Sequence, residues 1–181
     1  MEKIIVVDRN DNELGLESKE KCHRLNGILH RAITVFIFNN KNQLLITKRS
    51  KFKKLWSEYW ETSCSTHIHK NEDYAKSAPK RIKKELGFYC KLRFFFKFKY
   101  FSKFKKIGSE KEICALFIGK YNGKVNVNPK EISDYKWISI KDLKKEIDKN
   151  PSLFCPWLKI AIKNYLKKRK KEKIKSNFLS L

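Results

Sequence analysis

A set of β-branched and aromatic runs constrains the fold most, because side chains of that shape favour a pleated sheet over a helix. Ile33-Thr34-Val35-Phe36-Ile37-Phe38 and Gln43-Leu44-Leu45-Ile46-Thr47 flank the polar Asn39-Asn40-Lys41-Asn42 and read as a hairpin. Ile4 to Val7, Leu92 to Phe101, Ile113 to Ile118 and Tyr135 to Ile138 read as further strands.

Between the strands, Tyr74 to Leu86 carries helix formers and stops at Gly87, where a left-handed cap is easiest for glycine. Pro79 places the start of regular helix near Ser77, with the proline in the first turn. Ser139-Ile140-Lys141-Asp142 has capping-box character before a short helix. Asn150-Pro151 or Cys155-Pro156 starts a final amphipathic helix that closes in a basic tail from about residue 166. The order strands, helix, strands, helices indicates an α/β sandwich with helices over a mixed, largely antiparallel sheet. No internal repeat, dinucleotide glycine motif or P-loop is present. A length of 181 residues without a Ser/Gly/Pro-rich linker fits one domain over 1–181.

A formal charge of +24 raises nucleic acid or an anionic surface as a partner, but the lysines are spread along the whole chain, as a biased coding sequence also produces. Charge therefore does not select a function, and no nucleic-acid partner is expected. The run Lys167-Lys168-Arg169-Lys170-Lys171-Glu172-Lys173 reads as a solvated helix end. No apolar stretch is long enough to span a bilayer, and the start of the chain lacks a signal-peptide pattern. Five widely spaced cysteines without a CxxC fit a reducing compartment, so a cytoplasmic location is expected.

His23, His30 and His67, with Glu110-Lys111-Glu112, form a set of donors that suits one divalent ion of borderline softness, Zn²⁺ or Mn²⁺. On a strand Glu110 and Glu112 project to one face. A lone histidine is more often a core or surface residue; the constellation is what points to a metal.

Lys80-Arg81-Ile82-Lys83-Lys84-Glu85-Leu86-Gly87-Phe88 resembles the end of a Nudix box, with Lys84-Glu85 where a Nudix hydrolase has two consecutive glutamates. From about Lys3 to Lys167 the chain is similar to the type I isopentenyl-diphosphate Δ-isomerases, which have the Nudix α/β/α fold. The resemblance implies an isomerase that makes dimethylallyl diphosphate, working as a monomer on a small prenyl diphosphate. It also implies that His23, His30, His67, Glu110 and Glu112 hold the first metal. Glu85 would help hold a Mg²⁺ that also touches the substrate diphosphate, and Lys19, Arg49, Lys53 and Arg81 would bind the diphosphate. By the same resemblance Glu112 with Tyr100 serves one face of the substrate in proton transfer, and Trp157 faces the isoprenoid. Taken alone, Trp157 on an amphipathic helix would be a core residue.

The departure lies in Thr62-Ser63-Cys64-Ser65-Thr66-His67. The family's catalytic cysteine falls on Ser65, and the thiol sits at Cys64. In simple strand register Ser65 and His67 share a face and Cys64 looks away; a bulge would swing Cys64 inward. Two other readings follow from Ser65: a Nudix-type diphosphate hydrolase, and a catalytically impaired homologue that binds prenyl diphosphates.

Overall fold

The computed structural model describes residues 2–178, with side chains as far as residue 172. Chain order is β1 (Lys3–Val7), β2 (Glu13–Ser18), α1 (Lys19–His23), β3 (His30–Phe38), β4 (Gln43–Arg49), β5 (Trp60–Glu61), β6 (Cys64–His67) and α2 (Tyr74–Leu86). Then come β7 (Leu92–Phe104), β8 (Gly108–Lys120), β9 (Ile132–Ser139), α3 (Ile140–Lys149), a 3-10 turn (Pro151–Leu153) and α4 (Pro156–Phe178). The strands join in one mixed sheet, with β3 parallel to β8 and the other pairs of named strands antiparallel.

The alternation of β3 divides the protein into two cores. Ala32, Phe36 and Phe38 pack with Leu143 of α3 and Leu158, Ala161 and Ile162 of α4. Ile33, Val35 and Ile37 pack on the opposite face with Ala78, Ile82 and Leu86 of α2. A strand buried on both faces is apolar throughout, which is why this run stands out in the sequence. Each such side chain contributes about 1.5–3 kcal/mol on burial, whereas an exposed ion pair contributes roughly 0–1 kcal/mol, so the two cores hold the layers together.

The expected hairpin forms only at its tip. β3 and β4 are in register at Phe38↔Leu44 and then part, β4 pairing with β9 and β5 while β6 takes the edge of β3. Ser63 fills the fork: its Oγ accepts from the Ile37 N–H at 2.8 Å and donates to the Leu45 carbonyl at 2.7 Å. Thr47 Oγ1 donates to the Thr62 carbonyl at 2.9 Å, closing the same gap.

α2 begins at Tyr74 rather than near Ser77, and Pro79 lies inside it. Asp73 caps the helix by accepting from the Lys76 N–H at 2.7 Å, and Ser77 Oγ donates to Glu72 at 2.8 Å. Those bonds offset the single backbone donor that proline lacks. The helix ends at Gly87, whose φ of 78° is left-handed and whose added Cβ would lie 2.8 Å from the Asn126 carbonyl. Ser139 caps α3 as its sequence indicates, accepting from the Asp142 N–H at 3.1 Å.

Of the two proline starts, Cys155-Pro156 opens α4 and Asn150-Pro151 makes the 3-10 turn. The Cys155 N–H donates to the Trp60 carbonyl at 2.8 Å and pins the start of α4 beside β5. The basic end is not solvated throughout: Lys168 Nζ donates to the Phe95 carbonyl at 2.5 Å and sits 4.7 Å from that ring's centroid. The Lys173 side chain lies outside the described residues. No described helix is long and apolar enough to cross a membrane.

Replacing Ser63 by alanine strands a buried N–H and a buried carbonyl, and Ser63→Ala is expected to cost about 2–4 kcal/mol. Urea unfolding measures it; a cost below about 1 kcal/mol would mean that the fork closes without the hydroxyl.

Candidate active site

Strand register assembles the site. In the order β6, β3, β8, β7, Ala32 lies opposite His67, His30 opposite Glu112, and Glu112 opposite Tyr100. The two-residue period puts Glu110, Glu112 and Cys114 on one face of β8, as the sequence implies for the two acids. α1 brings His23 over the end of β8. Ser18 caps α1 by accepting from the Lys21 N–H, buried Cys22 anchors it, and Gly108 lets it approach, since a Cβ there would lie 2.8 Å from the His23 carbonyl. Gly27, at φ 63°, turns the chain back toward His30.

One donor atom from each of His23, His30, His67 and Glu110 lies within 4.8 Å of the others. Glu110 Oε2 is 3.0 Å from His23 Nε2 and 3.6 Å from the Nε2 of both His30 and His67. Glu112 Oε1 joins at 3.3 Å from His67 Nε2 and 3.6 Å from His30 Nε2. Two of these atoms, His30 Nε2 and Glu110 Oε2, are buried without a hydrogen-bond partner. Unsatisfied buried polar atoms are costly, and an ion between them would satisfy both. His30 Nδ1 lies 2.7 Å from the Ile28 carbonyl, the outer hydrogen bond that leaves Nε2 free to act as a ligand. The residues present therefore fit a divalent metal.

Without an ion, burial opposes a charged His30, yet Glu110 and Glu112 push it up to about 10. Burial lowers His23, although Glu110 works the other way. Burial disfavours the charged form of Glu110, but His23, His30 and His67 hold it well below the usual carboxylate range. Glu112 is also lowered, with burial and Glu110 opposing and His30 and His67 prevailing.

A cavity of about 610 Å³ opens beside this cluster, lined by Ser65, Tyr100 and Trp157 and by the expected cations Lys19, Arg49, Lys53 and Arg81. The Tyr100 O–H donates to Glu112 Oε2 at 2.8 Å, and burial together with Glu112 keeps the phenol protonated. The Trp157 ring stands 6.4 Å from that of Tyr100. Each cation already has a protein partner. Lys19 meets Glu2 at 3.2 Å, Arg49 meets Glu61 at 2.9 Å, and Lys53 and Arg81 both meet Glu131. Glu85 does not line the cavity; it lies against Arg81, and burial pushes it up to about 7 although Arg81 and Lys53 oppose.

The disputed segment adopts simple register. Val35↔Cys64, Thr34↔Ser65, Ile33↔Thr66 and Ala32↔His67 run without a shift, so no bulge swings Cys64 inward. Cys64 is fully buried in the α2-side core, where burial raises its thiol well above the usual value. The reason is the pleat: β3 fixes four consecutive pairs, and odd and even positions face different cores.

Ser65 joins two threonines beneath the cavity. Thr34 Oγ1 donates to Thr62 Oγ1 at 2.6 Å, and Thr62 Oγ1 donates to the Cys64 carbonyl at 3.1 Å. Both threonine protons are thus committed, so the Ser65 contacts of 3.2 Å to Thr34 and 3.0 Å to Thr62 use the Ser65 proton. Its lone pairs are what remain for the cavity.

Sequence reading missed Glu61, Glu131, Thr34, Thr62 and Cys114. Cys114 was detectable, since it follows Glu112 at the strand period and lines the same cavity. Glu61 and Glu131 carry no local signal, because their partners lie far along the chain.

The NUDIX domain family matches residues 28–158. Isopentenyl-diphosphate Delta-isomerase 1 of Aromatoleum aromaticum is 32% identical over 172 residues, 95% of this chain and 97% of that protein. Isopentenyl-diphosphate Delta-isomerase 1 of Photorhabdus laumondii is 36% identical over 161 residues, 88% of this chain and 92% of that protein. Among solved structures, a Deinococcus radiodurans protein superposes with a TM-score of 0.68 at 18% identity, covering 82% of this chain and 90% of that one. The MutT protein of Methanosarcina mazei gives 0.66 at 14% identity, covering 78% and 96%. At those identities the structures speak for the fold.

Because His30 binds a proton up to about 10, metal must displace that proton at lower pH. With Zn²⁺ as the probe ion, affinity is expected to rise by about tenfold per pH unit for each proton released between about pH 6 and pH 8. Chelator competition measures it; an affinity independent of pH would contradict the protonated His30.

Proposed function

Because the chain belongs to the NUDIX family and, within it, to the isopentenyl-diphosphate Delta-isomerases, we propose that it interconverts isopentenyl and dimethylallyl diphosphate. The observation that carries this reading is the buried 2.8 Å Tyr100–Glu112 hydrogen bond, set between the donor cluster and Trp157 in one cavity. Adding a proton to C4 uses the π pair and leaves a tertiary cation at C3; losing a proton from C2 forms the new double bond. One proton is gained at C4 and one is lost from C2, so no co-substrate is consumed.

In this reading Glu112 carries the proton to C4, and Tyr100 orients the carboxyl group through its O–H. Trp157 offers an aromatic face to the cation, whose charge the ring quadrupole stabilises. Ser65 receives the C2 proton through the lone pairs it turns to the cavity and passes it to solvent, from which Glu112 regains the proton it gave to C4. The hydroxyl chain behind it ends on a carbonyl, which is no proton sink, so this step is slower than with a thiol. We place Zn²⁺ or Mn²⁺ at His23, His30, His67, Glu110 and Glu112, where it would supply fixed positive charge that holds the two carboxyl groups in place. Mg²⁺ would arrive with the diphosphate, and Glu85, which lies against Arg81 outside the cavity, would reach it only once Arg81 turns to the phosphate. Lys53 and Arg81 would exchange Glu131 for phosphate oxygens, with Lys19 at the rim. The hydrolase reading has less support, since Lys84 stands beside Glu85 and leaves one carboxylate on that turn of α2.

Proton and phosphorus NMR with isopentenyl diphosphate, Mg²⁺ and Zn²⁺ in deuterated water tests the proposal. Dimethylallyl diphosphate carrying deuterium, without phosphate, is expected; phosphate without isomer would establish the hydrolase instead, and binding without turnover the impaired homologue. Glu112→Gln is expected to lower isomerisation about 10²–10⁴-fold with an unchanged circular dichroism spectrum. Ser65→Cys is expected to raise kcat, and Cys64→Ala to leave it unchanged; the reverse pattern would return the catalytic role to Cys64.

A further inference from the structure

We propose that Glu61 is a positioning residue for this reaction, its buried carboxylate holding the Trp157 indole and the Arg49 guanidinium in one fixed arrangement at the cavity wall. The inference rests on the isomerase reading for its kinetic consequence and on geometry for the rest. Glu61 is 4% exposed and does not line the cavity, so it acts through its two partners. Its Oε2 accepts from Trp157 Nε1 at 3.1 Å, and its Oε1 accepts from Arg49 at 2.9 Å.

Arg49 is otherwise bound to the backbone: Nε donates to the Trp56 carbonyl at 3.1 Å, and the second terminal nitrogen donates to the Leu55 carbonyl at 3.0 Å. Three of its five N–H groups are thus committed to protein acceptors, which fixes the guanidinium in the cavity wall. Its Cζ lies 5.2 Å from the centroid of the Trp157 ring. A cation there draws on the same π density that an isoprenoid cation needs. The negative charge of Glu61 on that guanidinium counters the draw, and its other oxygen stops the indole from rotating.

Only a carboxylate does both. An amide at this position has one acceptor, and its NH₂ would face a donor on one side or the other. The placement is tertiary: β5 sets Glu61 opposite Thr47 on β4, and the Trp60↔Phe154 bridge brings the start of α4, and with it Trp157, alongside.

The test uses protein with ¹⁵N-labelled tryptophan, in which Trp157 is assigned among the four indoles by Trp157→Phe. In the unmodified protein the Trp157 indole N–H is expected to resonate downfield and exchange slowly with solvent. Glu61→Gln is expected to move that resonance upfield, speed its exchange and lower kcat by about tenfold or more with KM unchanged, since the aromatic face acts on the cation and not on the bound diphosphate. Glu61→Asp, which keeps the charge, is expected to recover part of kcat. An indole resonance unmoved by Glu61→Gln, or a kcat unmoved by it, overturns the proposal. Should Glu61→Gln fail to fold, Trp157 exchange in the unmodified protein as fast as that of an exposed indole overturns it equally. Absence of isomerase activity in the unmodified protein would defeat the functional reading, and the indole signal would still decide whether Glu61 holds Trp157.

Discussion

The parallel pairing of β3 with β8 is the constraint on which the site depends. It sets His30 directly opposite Glu112, and the antiparallel β7 then sets Tyr100 opposite the same glutamate. With β6 on the other edge of β3, the histidine, carboxylate and phenol groups fall on one face of adjacent strands. A shift of one residue in any of these pairs would send its chemistry into the opposite core.

That arrangement concentrates ionisable groups where water is scarce. Burial penalises each charge, and the three imidazoles and two carboxylates answer it by facing one another. The protein leaves His30 Nε2 and Glu110 Oε2 without hydrogen-bond partners, a condition that metal coordination resolves. A second set of charges, Glu85, Glu131, Lys53 and Arg81, is paired internally and separate from the first. The two centres also differ in what holds them together: imidazoles and carboxylates face one another at the first, and at the second Lys53 and Arg81 are ion-paired with Glu85 and Glu131, although Arg81 Nε is itself without a partner.

Much of this was legible along the chain because it depends on local spacing. The helix stop at Gly87, the Ser139 cap and the shared face of Glu110 and Glu112 each follow from backbone geometry within a few residues. β3 and β4 pair only at Phe38↔Leu44, because Ser63 enters the fork from a later segment, which turn residues and strand runs do not reveal. α2 starts at Tyr74 and not near Ser77, because a cap at Asp73 and a bond from Ser77 to Glu72 outweigh the proline. Glu61 was passed over because its partners, Arg49 and Trp157, lie far from it in sequence.

The sequence by itself determined the sandwich and the histidines and carboxylates that meet at the cavity, since periodicity and residue chemistry need no partner to be read. It also carried Ser65 at the position where the resemblance implies a cysteine. Only the tertiary structure decided what that exchange means: unbroken pairing to β3 turns Ser65 to the cavity, sends Cys64 into the core, and leaves the Ser65 proton directed at Thr34 and Thr62. The physical reason is that strand register, set by side chains packing between distant segments, chooses the face on which each residue's chemistry appears.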